Sequence, residues 1–330
     1  MPSSKYSRPK SSAPEAARVS TRDEAAIVEA AWLYYHDGLN QNSIAERMRI
    51  SRASVVNYLS HAREEGWIRL YLDSDVFGGH RLAEELCRAY GLQKTLVVPG
   101  SGGGQQMRLR VTRAAADWLP RLLEPGDRLG VSWGETVYQM VQQLAPQPME
   151  DLTVVQLLGS RPAARGFAAE ACTSLLAQRL SGELVNLHVP LLLSRREVRD
   201  ALVAEPEVAA QIEALSGCNK TILACGTLDE DAHVVRTAIL ERESVARFRE
   251  MGAVGVVCGR LIDSEGAPVV APVEDRMIGV SLEQMRGKKM SLLLAAGADR
   301  AVPARAAIKG GYVTHLVTSG QIAEELLDLA

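Results

Sequence analysis

The 330-residue sequence has no run of about 18 apolar residues, which excludes a membrane-spanning helix and a membrane partner. Its opening stretch, "MPSSKYSRPKSSAPEAARVS", lacks a hydrophobic segment and does not read as a secretory leader, so the protein is expected in the cytoplasm. The same stretch is rich in Ser, Pro, Lys and Arg and poor in large apolar residues, which predicts a disordered tail over residues 1–20. Cysteines are few: Cys87, Cys172, Cys218, Cys225 and Cys258 form no C-x-x-C pair and have no His grouping nearby. That spacing argues against a disulfide framework and a metal site, and predicts free buried thiols. No cofactor is expected.

What is present is an ordinary globular composition, 47% hydrophobic, long enough for about two domains. The net charge of −3 is unevenly spread: residues 1–70 carry +2 and the rest −5. A slightly acidic whole chain therefore does not exclude nucleic-acid binding, which needs basic groups on one small face only.

Helical periodicity begins early. Asp23 to Asp37 places Ile27, Ala30, Ala31 and Tyr34 on one face, with Gly38 just beyond its end. Asn40 caps a second helix, 41–49, with Ile44, Ala45 and Met48 inward. "RIS" is a turn, and Ser51 caps a third helix, 52–65, with Val55, Leu59 and Ala62 on its inner face and Gly66 at its end. "WIRLYL" (67–72) reads as a strand, a wing. Small Ala45 lets two helices approach closely. Arg49 stands where a helix-turn-helix often carries Gly, because the turn favours positive φ.

Residues 21–72 are thus expected to form a winged helix-turn-helix domain. Ser54, Asn57 and His61 lie opposite the inner stripe of the third helix, with Arg52 at its start. Such side chains hydrogen-bond base edges and phosphates in a major groove. Gln41, Asn42 and Ser43 open the helix that would cross the DNA backbone, and Ser51, Tyr58 and Arg63 complete the expected DNA-binding set. The competing readings are a three-helix packing module with a solvated polar face, or a helix-turn-helix used only for dimerisation.

"DSDVFGGH" (73–80) reads as a linker into a larger domain, 73–330. A helix with Leu82, Leu86 and Tyr90 follows. Apolar β-type runs then recur at 95–98, 128–133, 152–158, 184–189, 221–226, 253–259, 290–297 and 312–319, with amphipathic stretches between most of them. This alternation predicts an α/β, Rossmann-like, mostly parallel sheet covered on both faces. Ligands of such sheets bind at the carboxyl ends of the strands. Four loops there catch attention: "GVSWGETV" (130–137) with Gly130, Ser132, Trp133, Gly134, Glu135 and Thr136; "LLGS" (157–160) with Gly159, Ser160 and nearby Arg161 and Arg165; "CGTLD" (225–229) with Gly226; and "CGRLID" (258–263) with Asp263. Backbone amides at such turns cradle a phosphate or a polyol.

The helix-turn-helix segment 31–68 resembles the N-terminal module of SorC-family sugar-binding transcriptional regulators. "LGVSWGETVYQM", "GAVGVVCGRLIDSEGAPV" with "RMIGVSLEQM", and the stretch from "KKMSLLLAAGADRAVPARAAIKGGYV" to "EELL" resemble successive blocks of that family's effector domain. The resemblance implies a C-terminal domain with the fold of sugar-phosphate isomerases, used for sensing. It implies a homo-oligomer, dimer or tetramer, that binds paired half-sites of operator DNA. It also implies a small carbohydrate effector (a sugar, polyol or sugar phosphate) held by the 132–136 loop, with Gly159, Ser160 and Arg165 beside the cleft. Arg300 occupies a position where members often carry Lys. Three positions depart from the family pattern: Glu135 in the phosphate loop, Val256 where an acid is usual, and "VTSG" at 317–320.

The rival reading is a sugar-phosphate isomerase-like enzyme with an appended DNA-binding module. Such an enzyme needs a general base and an acid at the sugar. The sequence offers no paired Asp at a strand end and no Ser/His/Asp or Cys/His arrangement, and His188 and His233 read as surface or partly buried residues. The reading is a regulator without catalytic residues.

Overall fold

A computed structural model describes residues 21–68, 81–100, 104–132, 134–160, 169–297 and 299–330. The chain divides into two compact units, Met1–Tyr71 and Leu72–Ala330. The expected tail, the linker and most of the expected wing lie outside the described residues. Of the wing, Trp67 and Ile68 are described, and they are not strand.

The first unit contains helices α1 (Thr21–Tyr35), α2 (Gln41–Met48) and α3 (Arg52–Glu64). Their shared core is Ile27, Ala30, Ala31, Leu33, Ile44, Ala45, Val55, Leu59 and Ala62. The expected inner residue Tyr34 is exposed and Leu33 is buried in its place. One position along a helix turns a side chain by about 100°, enough to exchange their roles.

The larger unit opens with α4 (Arg81–Tyr90), β1 (Lys94–Val98), α5 (Gly104–Trp118), β2 (Arg128–Val131), α6 (Glu135–Gln143) and β3 (Thr153–Gln156). It continues with α7 (Ala169–Leu180), β4 (Glu183–Val185), α8 (Arg196–Val203), α9 (Pro206–Ser216), β5 (Lys220–Leu223), β6 (Cys225–Gly226), α10 (His233–Arg236) and α11 (Val245–Glu250). It closes with β7 (Ala253–Val257), β8 (Arg260–Asp263), β9 (Pro268–Val269), β10 (Met290–Ala295), α12 (Ala301–Lys309), β11 (His315–Ser319) and α13 (Gly320–Asp328).

Seven strands form one sheet in the order β1-β11-β10-β5-β2-β3-β4, with every pairing parallel. Parallel strands need helical crossovers, which cover both faces and make both side-chain sets apolar. Along β10, Leu292 and Leu294 enter one core with α5, α6 and α7, while Leu293 and Ala295 enter the other with α4, α12 and α13. Gly130 is part of this packing: a Cβ there would lie 2.7 Å from the Leu157 side chain. The chain runs outward from β2 through β3 to β4, then returns to β5 on the other side of β2 and continues through β10 to β11. The order therefore reverses between β2 and β5, and a crevice opens where adjacent connections diverge.

All eight apolar runs contain strand. Four of the strands, however, form a second sheet, β6-β7-β8-β9, whose pairings are all antiparallel and which the apolar runs do not distinguish from the first. The run 221–226 breaks at Ala224, so β5 ends the parallel ladder and β6 starts the antiparallel one. The loop at Cys258–Gly259, expected at the carboxyl end of a parallel strand, is instead the tight turn of the β7–β8 hairpin. Both residues have positive φ, 49° and 72°, as a two-residue hairpin demands.

Candidate functional site

In the first unit the caps position the outer helix. Asn40 Oδ1 accepts the amides of Asn42 and Ser43, both at 3.0 Å, and so starts α2. Arg49 ends α2 in the left-handed region (φ 56°, ψ 44°), with its amide donating to the carbonyls of Ala45 and Glu46. The turn thus has the geometry that glycine favours, held by a non-glycine residue. Ser51 Oγ accepts the Ser54 amide at 3.0 Å and starts α3.

The face that α3 leaves open differs in part from the expected set. Arg52 and Asn57 are exposed. Ser54 is half-buried, and its hydroxyl is 2.9 Å from Ser51 Oγ. His61 is half-buried and meets the edge of Trp67 at 5.7 Å between ring centroids. Tyr58 packs partly against the core. Arg63 folds back on its own helix, with Nε donating to the Leu59 carbonyl and Nη2 to Ser60 Oγ. Arg52 Nε reaches Gln41 Oε1 at 3.4 Å, linking the starts of α2 and α3. Ala53 and Val56, not expected from the sequence, share the open face with Arg52 and Asn57. Val56 is 38% exposed, which its sequence position alone does not reveal, and apolar groups on a DNA-reading helix contact thymine methyls.

In the larger unit a cleft of about 280 Å³ lies at the carboxyl ends of β2 and β5. From β2 come Ser132, then Gly134, Glu135 and Thr136 at the start of α6. From β5 and β6 come Ala224, Cys225, Gly226, Thr227 and Asp229; from the β10–α12 loop come Asp299 and Arg300. The Ser132 amide donates to the Ile222 carbonyl at 2.9 Å, which fixes this loop across β5. Gly134 starts α6 with no side-chain cap, which leaves the first amides of that helix available to a ligand or to water.

Of the expected effector residues, Ser132, Gly134, Glu135, Thr136, Gly226 and Arg300 line the cleft. Gly130, Gly159, Ser160 and Asp263 do not. A Cβ on Gly159 would meet the Leu191 backbone at 2.7 Å, so this glycine serves a close chain crossing. Ser160 accepts a bond from Gln156 Nε2 at 3.2 Å and bridges to Pro190. Asp263 Oδ1 accepts the amides of Glu265 and Ala267 and shapes the β8–β9 turn. Trp133, Arg161 and Arg165 lie outside the described residues.

The charged cleft residues Arg108, Asp231, Arg236 and Asp299 are not among the expected set, and His233, expected as a surface or partly buried residue, lines the cleft as well. Arg108 comes from α5 and pairs with Glu135, Nη1 to Oε1 at 3.3 Å. Its Nε is buried with no hydrogen-bond partner among the described residues. A side chain at Gly297 (φ 110°) would run 3.8 Å from Arg108 Nη2 and 3.9 Å from Arg300 Nε, so the two guanidinium groups flank the same bare stretch of backbone. Burial, followed by Arg236, pushes the His233 pKa below its ordinary value. Burial raises the Cys225 and Cys258 thiols to about 11, and these groups stay protonated. Three arginines face four carboxylates among the described lining residues. Donors and acceptors in near balance suit a hydroxyl-rich ligand, whose groups both give and take hydrogen bonds.

Residues 74–328 match the family described as "Putative sugar-binding domain". The chain is 37% identical over 307 residues to the transcriptional regulator YjhU of Escherichia coli (strain K12), spanning 91% of this chain and 94% of that protein. The chain belongs to the SorC family of sugar-binding transcriptional regulators. It is also 29% identical to the deoxyribonucleoside regulator of Bacillus subtilis (strain 168), over 91% of this chain and 96% of that protein. Its fold matches that of the full-length sorbitol operon regulator SorC from Klebsiella pneumoniae with a TM-score of 0.75 at 23% identity, covering 93% of this chain and 100% of that chain. As a SorC-family member the protein is a transcriptional regulator with a sugar-binding domain, and its relatives are named as regulators rather than enzymes.

Proposed function

We propose that this SorC-family regulator reads operator DNA with the open face of α3 and releases or grips it in response to a carbohydrate in the β2–β5 cleft. Arg52 and Asn57 are the base-reading residues, with Val56 and Ala53 beside them. The starts of α2 and α3, at Gln41, Asn42, Ser43 and Ser51, take phosphates through their amides. Thr136, Ser132 and the first amides of α6 hold the effector, and Arg300 and Arg108 take its most electronegative group. The effector is a sugar, polyol or sugar phosphate. The protein acts without catalytic turnover, in the cytoplasm, as a homo-oligomer that presents paired heads to paired half-sites.

The observation that carries this reading is the cleft itself. It sits at the reversal of strand order and combines a helix start that has no side-chain cap from Gly134 with arginines and carboxylates in near balance. In the first unit, the capped starts of α2 and α3 support the DNA half.

The effector acts by population shift. It binds one arrangement of the assembly better than another, and a coupling of about 1–3 kcal/mol changes operator affinity by about 5–150-fold. Selection of bound DNA from a random duplex library by the full chain tests the DNA half. Enrichment of a sequence containing a repeated half-site is expected. Salt-sensitive binding without enrichment, or no binding, would remove the operator reading.

A further inference from the structure

One patch of the effector cleft differs from the rest. The antiparallel sheet gives the cleft Cys225 and Gly226 from β6, Val256 from β7, and Cys258 and Gly259 from the hairpin turn. None of these side chains carries an oxygen or a nitrogen, and a thiol is a weak hydrogen-bonding group. The described charged and hydroxyl-bearing lining residues all come from other segments. Thr227, the next residue along the chain from β6, donates its hydroxyl to Asp229 Oδ2 at 2.6 Å.

The pleat of β7 decides which residue meets a ligand. Successive side chains of a strand point to opposite faces. A Cβ on Gly255 would lie 2.8 Å from the Pro303 side chain, so that face is pressed against α12. Val256 therefore points the other way, toward the cleft that it lines. Its register partner across the ladder is Gly226, where a Cβ would lie 3.3 Å from the Val256 Cβ. With no side chain at 226, the Val256 methyl groups are not screened by their cross-strand neighbour. Val234 and Ile239 line the same cleft and share one apolar core with Val256. Position 256 is also one of the three departures from the family pattern. A ligand hydroxyl set against this patch loses its water and finds no partner, whereas a methylene or methyl group gains by burial.

We propose that Val256 sets the specificity of the cleft for a deoxy carbohydrate, one whose carbon at this patch carries hydrogen in place of a hydroxyl. The inference rests on the carbohydrate reading of the cleft and narrows it. The remaining hydroxyls of the ligand meet Ser132, Thr136 and Arg300. An apolar patch of this kind rejects an added hydroxyl by about 10–100-fold.

Titration calorimetry of the full chain with matched pairs tests it. The pairs are 2-deoxy-D-ribose and D-ribose, their 5-phosphates, L-rhamnose and L-mannose, and L-fucose and L-galactose. The tightest ligand should be a deoxy member, bound about tenfold or more tighter than its hydroxylated parent. Val256→Thr, close to valine in shape and able to hydrogen-bond, should move that ratio about tenfold toward the parent. Circular dichroism melts check that the variant is folded; if it is not, the wild-type ratios decide alone. Parents that bind as tightly as their deoxy partners would overturn the inference and leave the carbohydrate reading standing. So would a ratio that folded Val256→Thr leaves unchanged, or a chain that binds only fully hydroxylated sugars or polyols. Binding to no carbohydrate at all would remove the reading of the cleft and this inference with it.

Discussion

Arg108 Nη1 lies 3.3 Å from Glu135 Oε1, joining the first half of α5 to the first turn of α6 inside the cleft. The acid at position 135, unusual for a phosphate loop, is therefore neither turned out of the cleft nor left unpaired. It occupies one donor of Arg108 and leaves Nε without a partner among the described residues.

Glu135→Gln removes a charge that repels acidic ligands and frees Arg108 to meet them. Titration calorimetry should show affinity for a phosphorylated or carboxylated sugar rising about threefold to tenfold relative to the neutral sugar, a modest range because the pair is partly exposed. An unchanged ratio would place Glu135 away from the ligand's charged group.

Thr136→Ala removes a hydroxyl at the start of α6 while leaving the helix and sheet intact. Operator affinity without effector should equal wild type, and the effector response should be lost. A full response would take the 132–136 loop out of the site.

Asn57→Ala should cost roughly 1–3 kcal/mol on specific DNA and little on non-specific DNA, the pattern of a bidentate base contact. Equal losses on both would make Asn57 a backbone contact. Val56→Ala, tested beside it, should lose discrimination for thymine at one position.

Arg49 holds φ at 56°, where glycine is at ease. Arg49→Gly relieves the strain, offset by the greater freedom of the unfolded chain, so melting should change by less than about 1 kcal/mol in stability. If the side chain takes a phosphate, the salt dependence of DNA binding falls by about one counterion. An unchanged slope would leave Arg49 as tolerated strain alone.

His315 is 6% exposed, and burial followed by Lys94 and Lys220 pushes its pKa down to about 4 from 6.5. Between those values the unfolded chain binds a proton that the folded chain refuses. Stability therefore rises with pH through that window. The contribution is fully present above about pH 6.5 and is lost as pH falls toward 4; its size is about 3 kcal/mol. Melting at pH 7 and pH 4.5 should show a smaller pH effect in His315→Gln than in wild type. Equal pH effects would show that His315 titrates alike in both states.

The legible parts of this molecule were those fixed by local chemistry. Asn40 and Ser51 announce their helices because short polar side chains satisfy free amides, and both do so. Apolar runs marked the strands because a parallel sheet is buried on both faces. Pairing was not legible: nothing in "TILACG" says that Ala224 breaks the ladder and hands the next residues to another sheet. Arg108 escaped for the same reason, since its reach into the cleft depends on how α5 packs beside α6. Gly159 and Asp263 looked like ligand residues because close chain crossings and tight turns use the same residue types as binding loops.

A single carbohydrate in the β2–β5 cleft is expected to change the protein's hold on its operator. A thermal-shift screen of the full chain against sugars, polyols and their phosphates identifies the ligand; at 100 times its Kd it stabilises by about 2.7 kcal/mol. Fluorescence anisotropy then gives the operator Kd with and without that ligand, in wild type and in Thr136→Ala. A change of about fivefold or more in wild type, absent from Thr136→Ala, is the expected result. An operator Kd that the bound ligand leaves unchanged in wild type would contradict it.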